Sequence, residues 1–191
     1  VYVTGSSHTF ERCLAADNTE AAFTGAGTGG NRWLQGVLWN NPTLVQAGTN
    51  STLSVSNSIL GNGTVLFGNQ AVPGDHNLVW NCPVGLEIAS FTAFQNANFW
   101  TNSLYADPQF ANAAGGDYHL KSLTGRYNPA TGLFVTDAVH SAAIDLGNPA
   151  APVGAESLPN GGRLNVGLYG GMAQASRSRS DAWLQVATFN D

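Results

Sequence analysis

Charge is scarce in this chain. Asp, Glu, Lys and Arg together make up 10% of its 191 residues, against roughly 25% in average globular proteins. Only seven residues are basic and the formal net charge is −5, which argues against nucleic acid and anionic membrane surfaces as partners. No apolar run is long enough to cross a bilayer, so membrane insertion is not expected either. Low charge can signal disorder, but disordered chains also lack aromatic residues. Five Trp and nine Phe exclude that reading here. At this length one sizeable core can form without a second one.

The scarcity is uneven. Residues 33–74 contain no Asp, Glu, Lys, Arg or His, so they offer no acid, base or common metal ligand. Cysteine is limited to Cys13 and Cys82. No CxxC, HExxH or phosphate-loop motif is present, and Gly27-Thr28-Gly29-Gly30 and Gly170-Gly171 lack the strand–loop–helix context that phosphate binding needs. No cofactor is expected.

What is present is a repeat. Cys13-Leu14-Ala15-Ala16-Asp17-Asn18, Gly36-Val37-Leu38-Trp39-Asn40-Asn41, Asn57-Ser58-Ile59-Leu60-Gly61-Asn62 and Asn77-Leu78-Val79-Trp80-Asn81-Cys82 align as one six-residue unit. Copies start about 20 to 23 residues apart, a solenoid period. The third column, Ala15, Leu38, Ile59 and Val79, is apolar, and the fourth is Ala16, Trp39, Leu60 and Trp80. The last column, Asn18, Asn41 and Asn62, predicts a ladder of stacked amides at a corner of each coil, with Cys82 at its end. Gly-, Thr- and Asn-rich turns separate the copies, and no convincing helical period intervenes. A β-sandwich also has many short strands, but it does not explain the recurring unit. The fold expected is an all-β, right-handed parallel β-helix. Three strand steps of about 4.8 Å would hold Cys13 and Cys82 roughly 14 Å apart, too far for a disulfide, and two free, buried thiols are expected.

Regularity fades after about Glu87, where Phe91, Phe94, Phe99 and Trp100 form an aromatic-rich stretch. Then follow Asp107-Pro108-Gln109-Phe110, Gly115-Gly116-Asp117-Tyr118-His119-Leu120, Ala143-Ile144-Asp145-Leu146-Gly147-Asn148-Pro149 and Asn160-Gly161-Gly162-Arg163-Leu164-Asn165-Val166-Gly167-Leu168-Tyr169-Gly170-Gly171. This series resembles the C-terminal part of large secreted bacterial β-helix proteins of the pectate-lyase-like superfamily. There, D-P-x-F, D-[FY]-H-L, I-D-x-G-[DN]-P and R-x-N-x-G-x-Y-G close the helix. The likeness covers most of residues 10–176. The organisation expected is coils over 1–110, an irregular closing segment over 111–176, and a linker and strand over 177–191 that leads to a further module or caps the helix. Both ends read as cuts through a longer polypeptide.

The resemblance implies two possible chemistries: calcium-binding carboxylates with an Arg or Lys base, or paired carboxylates around a glycosidic bond. Each needs charges at one place on neighbouring coils, which residues 33–74 do not supply. Asp107, Asp117, Asp137, Asp145 and Glu156 form a looser acidic set, with Asp145 and Glu156 the candidates for calcium. Asx turns and an Asp145–Arg163 ion pair are the structural alternatives. The resemblance implies no catalytic role for Arg163. His119 and His140, each with an Asp close by, have the elements of a proton-transfer pair but no accompanying nucleophile, and core packing is the simpler expectation. His8 and His76 lie in turns. Trp39 and Trp80 are the candidate carbohydrate contacts if their column faces outward, and core if it faces inward.

Together these features point to a non-catalytic extracellular or cell-surface module: a spacer, adhesin or self-assembling element. Its partners would be other copies or adjacent modules of the same polypeptide. The alternative is a β-helix that binds or degrades polysaccharide.

Overall fold

The computed structural model describes residues 1–5, 7–48, 52–66, 72–82 and 100–179. The chain divides into two compact units, Val1–Asp107 and Pro108–Asp191.

In the first unit each circuit of the chain lays down three short strands, one per face. The first circuit gives β1 (Tyr2–Thr4), β2 (Thr9–Glu11) and β3 (Leu14–Ala16). The second gives β4 (Ala21–Ala26), β5 (Gly30–Leu34) and β6 (Val37–Trp39). The third gives β7 (Thr43–Ala47), β8 (Thr52–Ser56) and β9 (Ile59–Gly61). The fourth gives β10 (Thr64–Leu66), β11 (Gly74–Asp75) and β12 (Leu78–Trp80). A fifth adds β13 (Trp100–Thr101) and β14 (Leu104–Tyr105). Like strands pair in parallel, in the orders β1-β4-β7-β10, β13-β11-β8-β5-β2 and β14-β12-β9-β6-β3. This is the parallel β-helix expected from the repeat, and among the described residues it contains no α-helix.

Alternation along each strand sends every second side chain inward. On the third sheet Ala15, Leu38, Leu60 and Val79 form the inner column, all part of the buried core. On the second, Phe10, Trp33, Val55 and Trp100 point inward, with Gly74 between the last two. Phe10 stacks on Trp33 at a 6.0 Å centroid separation, and Phe23 from the first sheet meets Trp33 at 5.4 Å. At roughly 2 kcal/mol per buried large side chain, these columns are the main favourable term holding short strands together.

The strand register corrects one alignment. Leu60, not Ile59, lies between Leu38 and Val79, and Gly61 lies between Trp39 and Trp80. Asn62 therefore leaves the predicted ladder of Asn18 and Asn41 and joins the column of Asp17, Asn40 and Asn81. These four residues share left-handed backbone, with φ of 56°, 52°, 52° and 47°. The first left-handed corner of each coil precedes the third sheet, at Arg12, Gln35, Asn57, His76 and Asn102, and the Asp17, Asn40, Asn62 and Asn81 column is the second. The slip arose at this first corner, because Asn57 resembles the residues of the second.

Both cysteines are free, as expected, but only Cys82 is buried and Cys13 is half-exposed. Phe91, Phe94 and Phe99 lie outside the described residues, as does the end of the expected linker and strand beyond Arg179.

The second unit is built from two antiparallel hairpins and hydrogen-bonded loops. β15 (Phe110–Asn112) pairs with β16 (Asp117–Leu120), and β17 (Arg126–Asn128) with β18 (Leu133–Val135). Asn112 Oδ1 accepts from Gly115 N–H at 3.1 Å, and Gly116 turns the first hairpin at φ 81°.

Candidate functional site: an aromatic and amide ridge on the third sheet

Trp39 and Trp80 follow inward-facing Leu38 and Val79, so alternation turns them outward, and both are half-buried. Between them Gly61 has no side chain, and the Trp39 ring lies across it; any β-carbon there would overlap the ring. Trp80 meets Tyr105 of the next coil at 5.6 Å between ring centroids, tilted by 48°. Trp39 and Trp80 are thus the outward aromatic positions of this sheet; Tyr105 touches Trp80 but pairs with Val79 of the inner column. Tyr105, 43% exposed, lies beyond the four aligned copies of the repeat and joins the stack where β14 pairs with β12.

The next position in each coil is the left-handed corner, and it carries the polar groups. Asn40 Nδ2 donates to Asp17 Oδ1 at 2.6 Å, and Asn81 Nδ2 to Asn62 Oδ1 at 2.9 Å. One residue further, Asn41 Oδ1 accepts from both the N–H and Nδ2 of Asn18 at 3.0 and 2.8 Å. Asp17, Asn18, Thr19, Asn40, Asn41 and Asn62 line an open groove beside Pro42 and Gly63. Its walls offer amides, one hydroxyl and one carboxylate for hydrogen bonding, without an acid and a base facing each other.

The ionisable side chains singled out in the second unit are largely tied to one another or to backbone. Asp117 Oδ1 accepts from His119 N–H at 3.1 Å, the Asx arrangement expected for this turn, and lies 2.6 Å from His119 Nδ1. Arg126 reaches Asp117 at 3.7 Å and Asp137 at 3.1 Å. His119 is 2% exposed and stacks on Tyr169 at 3.6 Å and 7°. Burial lowers its pKa below the usual imidazole value, against the opposing pull of Asp117, so the ring is neutral near pH 7. Tyr169 is pushed up by burial and by Asp117. His119 Nε2 is buried and meets no partner, so this pair has no reachable nitrogen with which to move a substrate proton. His140 Nδ1 accepts from Leu123 N–H at 3.4 Å, His76 is buried beside Asp75, and His8 is exposed. Arg126 was not singled out in the sequence, because its partners Asp117 and Asp137 lie nine and eleven residues away with a hairpin between them.

Asp145 and Glu156 lie within electrostatic reach of one another. Burial raises both, Glu156 to about 7, while hydrogen bonds from Gly171 and Asn165 pull it down and Asp145 adds to the rise. Arg163 does not pair with Asp145 directly. Its Nε donates to Gly147 O at 3.2 Å and its Nη2 to Leu146 O at 3.1 Å, and it acts on Asp145 only through space. Among the described residues no three His, Cys, Asp or Glu side chains converge as a metal site.

Three parallel sheets stacked coil on coil, with an amide-lined corner in each circuit, define a parallel β-helix protein. A family model described as disaggregatase related matches residues 36–147, and the chain belongs to that family. The match begins at the second repeat copy and ends at the Ile144-Asp145-Leu146-Gly147 motif. No curated protein and no solved structure matches the chain.

Proposed function

We propose that this chain is a non-catalytic β-helix module of a larger extracellular or cell-surface protein, acting as an adhesive or spacing element. The observation that carries this reading is the ridge itself. Its groove has one carboxylate, Asp17, among amides, and the coils over residues 33–74 add no ionisable group. Glycosidases need two carboxyl groups facing each other across roughly 5 to 10 Å. Copies of the same chain or neighbouring modules of the same polypeptide are the natural partners of such a stack. The test is to incubate the full chain with neutral and acidic polysaccharides and measure reducing ends and unsaturated products. No release is expected; release that tracks the folded protein through purification overturns the reading.

Polysaccharide binding is the second reading, favoured by outward-facing Trp39 and Trp80 beside the amide column. Aromatic faces stack on the apolar faces of sugar rings, and amides bond their hydroxyls. The family's name also points to proteins that act on aggregates, which suits a ligand that is itself a cohesive polymer. Absence of binding to every member of a broad glycan panel sinks this second reading.

A further inference from the structure

One carboxyl group of the second unit ties several loops together. Glu156 is 7% exposed, and its Oε1 accepts from Asn165 N–H at 2.9 Å and Gly171 N–H at 2.8 Å. Its Oε2 is buried and meets no donor. Ala155 N–H donates to Gly171 O at 2.9 Å, so residues 155 and 156 grip the 165–171 stretch at three points. Asn165 extends the network: its Oδ1 accepts from Asp145 N–H at 2.9 Å and its Nδ2 donates to Ser176 O at 2.6 Å. Asp145 Oδ1 in turn accepts from Ser178 Oγ at 2.7 Å. The charged group acting on Glu156 is Asp145; Arg163 acts on Asp145, and its own N–H groups go to backbone carbonyls.

We propose that Glu156 is a pH-sensitive latch: as a neutral carboxyl it clamps the 165–171 stretch, and its ionisation loosens that clamp. An ionised Glu156 would leave a charged oxygen buried without a donor, close to a second carboxylate, and no ion pair offsets it among the described residues. A neutral carboxyl keeps Oε1 as an acceptor and leaves an O–H without an acceptor at Oε2, a smaller cost than a buried unpaired charge. Burial, the first cause, holds the group up at about 7 against an ordinary value of 4.5. The folded state therefore holds the proton more tightly than the unfolded state. The stabilisation is complete below about 4.5 and is lost as pH rises through about 7. His119, lowered by burial, works in the opposite sense, since its contribution is lost as pH falls below the ordinary imidazole range.

The test compares thermal unfolding of the full chain and of Glu156→Gln between about pH 5 and about pH 8. The wild-type Tm is expected to fall across this range relative to that of Glu156→Gln, whose amide cannot ionise. Asp145→Asn is expected to move the wild-type transition to lower pH. Amide exchange gives a second readout should Glu156→Gln fail to fold. In wild type the Asn165 and Gly171 N–H groups should lose protection over the same range, after correction for intrinsic base catalysis. Parallel Tm curves for wild type and Glu156→Gln, or unchanged protection of both amides, overturn the latch. A Tm gain from calcium that removes the pH dependence also overturns it, because a cation and not a proton would then complete the site.

Discussion

Asn41 and Cys82 show how one position in a coil can be filled by different chemistry. Asn41 Nδ2 donates to Trp39 O in its own strand and to Ala15 O in the preceding coil, both at 2.9 Å. Cys82 Sγ lies 3.2 Å from Trp80 O and 3.7 Å from Leu60 O, which are the corresponding carbonyls. Burial pushes the Cys82 thiol up to about 12, so it stays protonated and able to donate. Cys82→Asn is therefore expected to fold and to hold or raise Tm. Cys82→Val removes only a weak S–H donor, because Trp80 O also accepts from Asn62 N–H at 3.2 Å, and should cost about 1 kcal/mol. Alkylation of native protein followed by peptide mass analysis should label half-exposed Cys13 and spare Cys82 until unfolding. Equal labelling of both would contradict the assignment.

At the scale of the strand and its corner, the sequence and the stack inform each other unequally. The apolar column and the Asn-rich second corner are legible because the same chemistry returns in every coil. The first corner is not, because Arg12, Gln35, Asn57 and His76 share a left-handed φ and no side-chain type. Backbone conformation alone defines that column, and this is why the third copy could be aligned one residue early. The seat of the Trp39 ring was equally hidden, since it depends on Gly61 standing beneath it. Gly61→Val should displace Trp39, cost about 1–3 kcal/mol by overpacking, and change the near-UV dichroism of the folded protein. An unchanged Tm and aromatic spectrum would place the Trp39 ring elsewhere. In the second unit the Asp117 turn was legible from Gly116-Asp117, but the Arg126 bridge was not, because it depends on how the hairpins fold back. Arg126 is 14% exposed and holds Asp137, 13% exposed, so Arg126→Met should cost about 3 kcal/mol, measured by denaturant unfolding. A loss well under that would mean that water, not Arg126, compensates Asp137.

For the whole molecule, the near absence of charge in the central coils is what joins fold to function. Strands stacked at about 4.8 Å would set like charges close together on every coil, so a long uncharged column stacks without repulsion. The same economy leaves the outer face with aromatic rings and amides as its working groups. On the second proposed reading, those groups would take neutral hydroxyl-bearing polymers by stacking and hydrogen bonding. The most direct measurement is affinity electrophoresis of the full chain and of the Trp39→Ala/Trp80→Ala double variant through gels containing polysaccharide. The polysaccharide-binding reading predicts retardation of the wild-type chain by at least one polymer, and loss of about 2 kcal/mol, roughly thirtyfold in Kd, in the double variant. Equal retardation of both proteins, or free migration of the wild type in every gel, would contradict a recognition surface on the outer face of the third sheet.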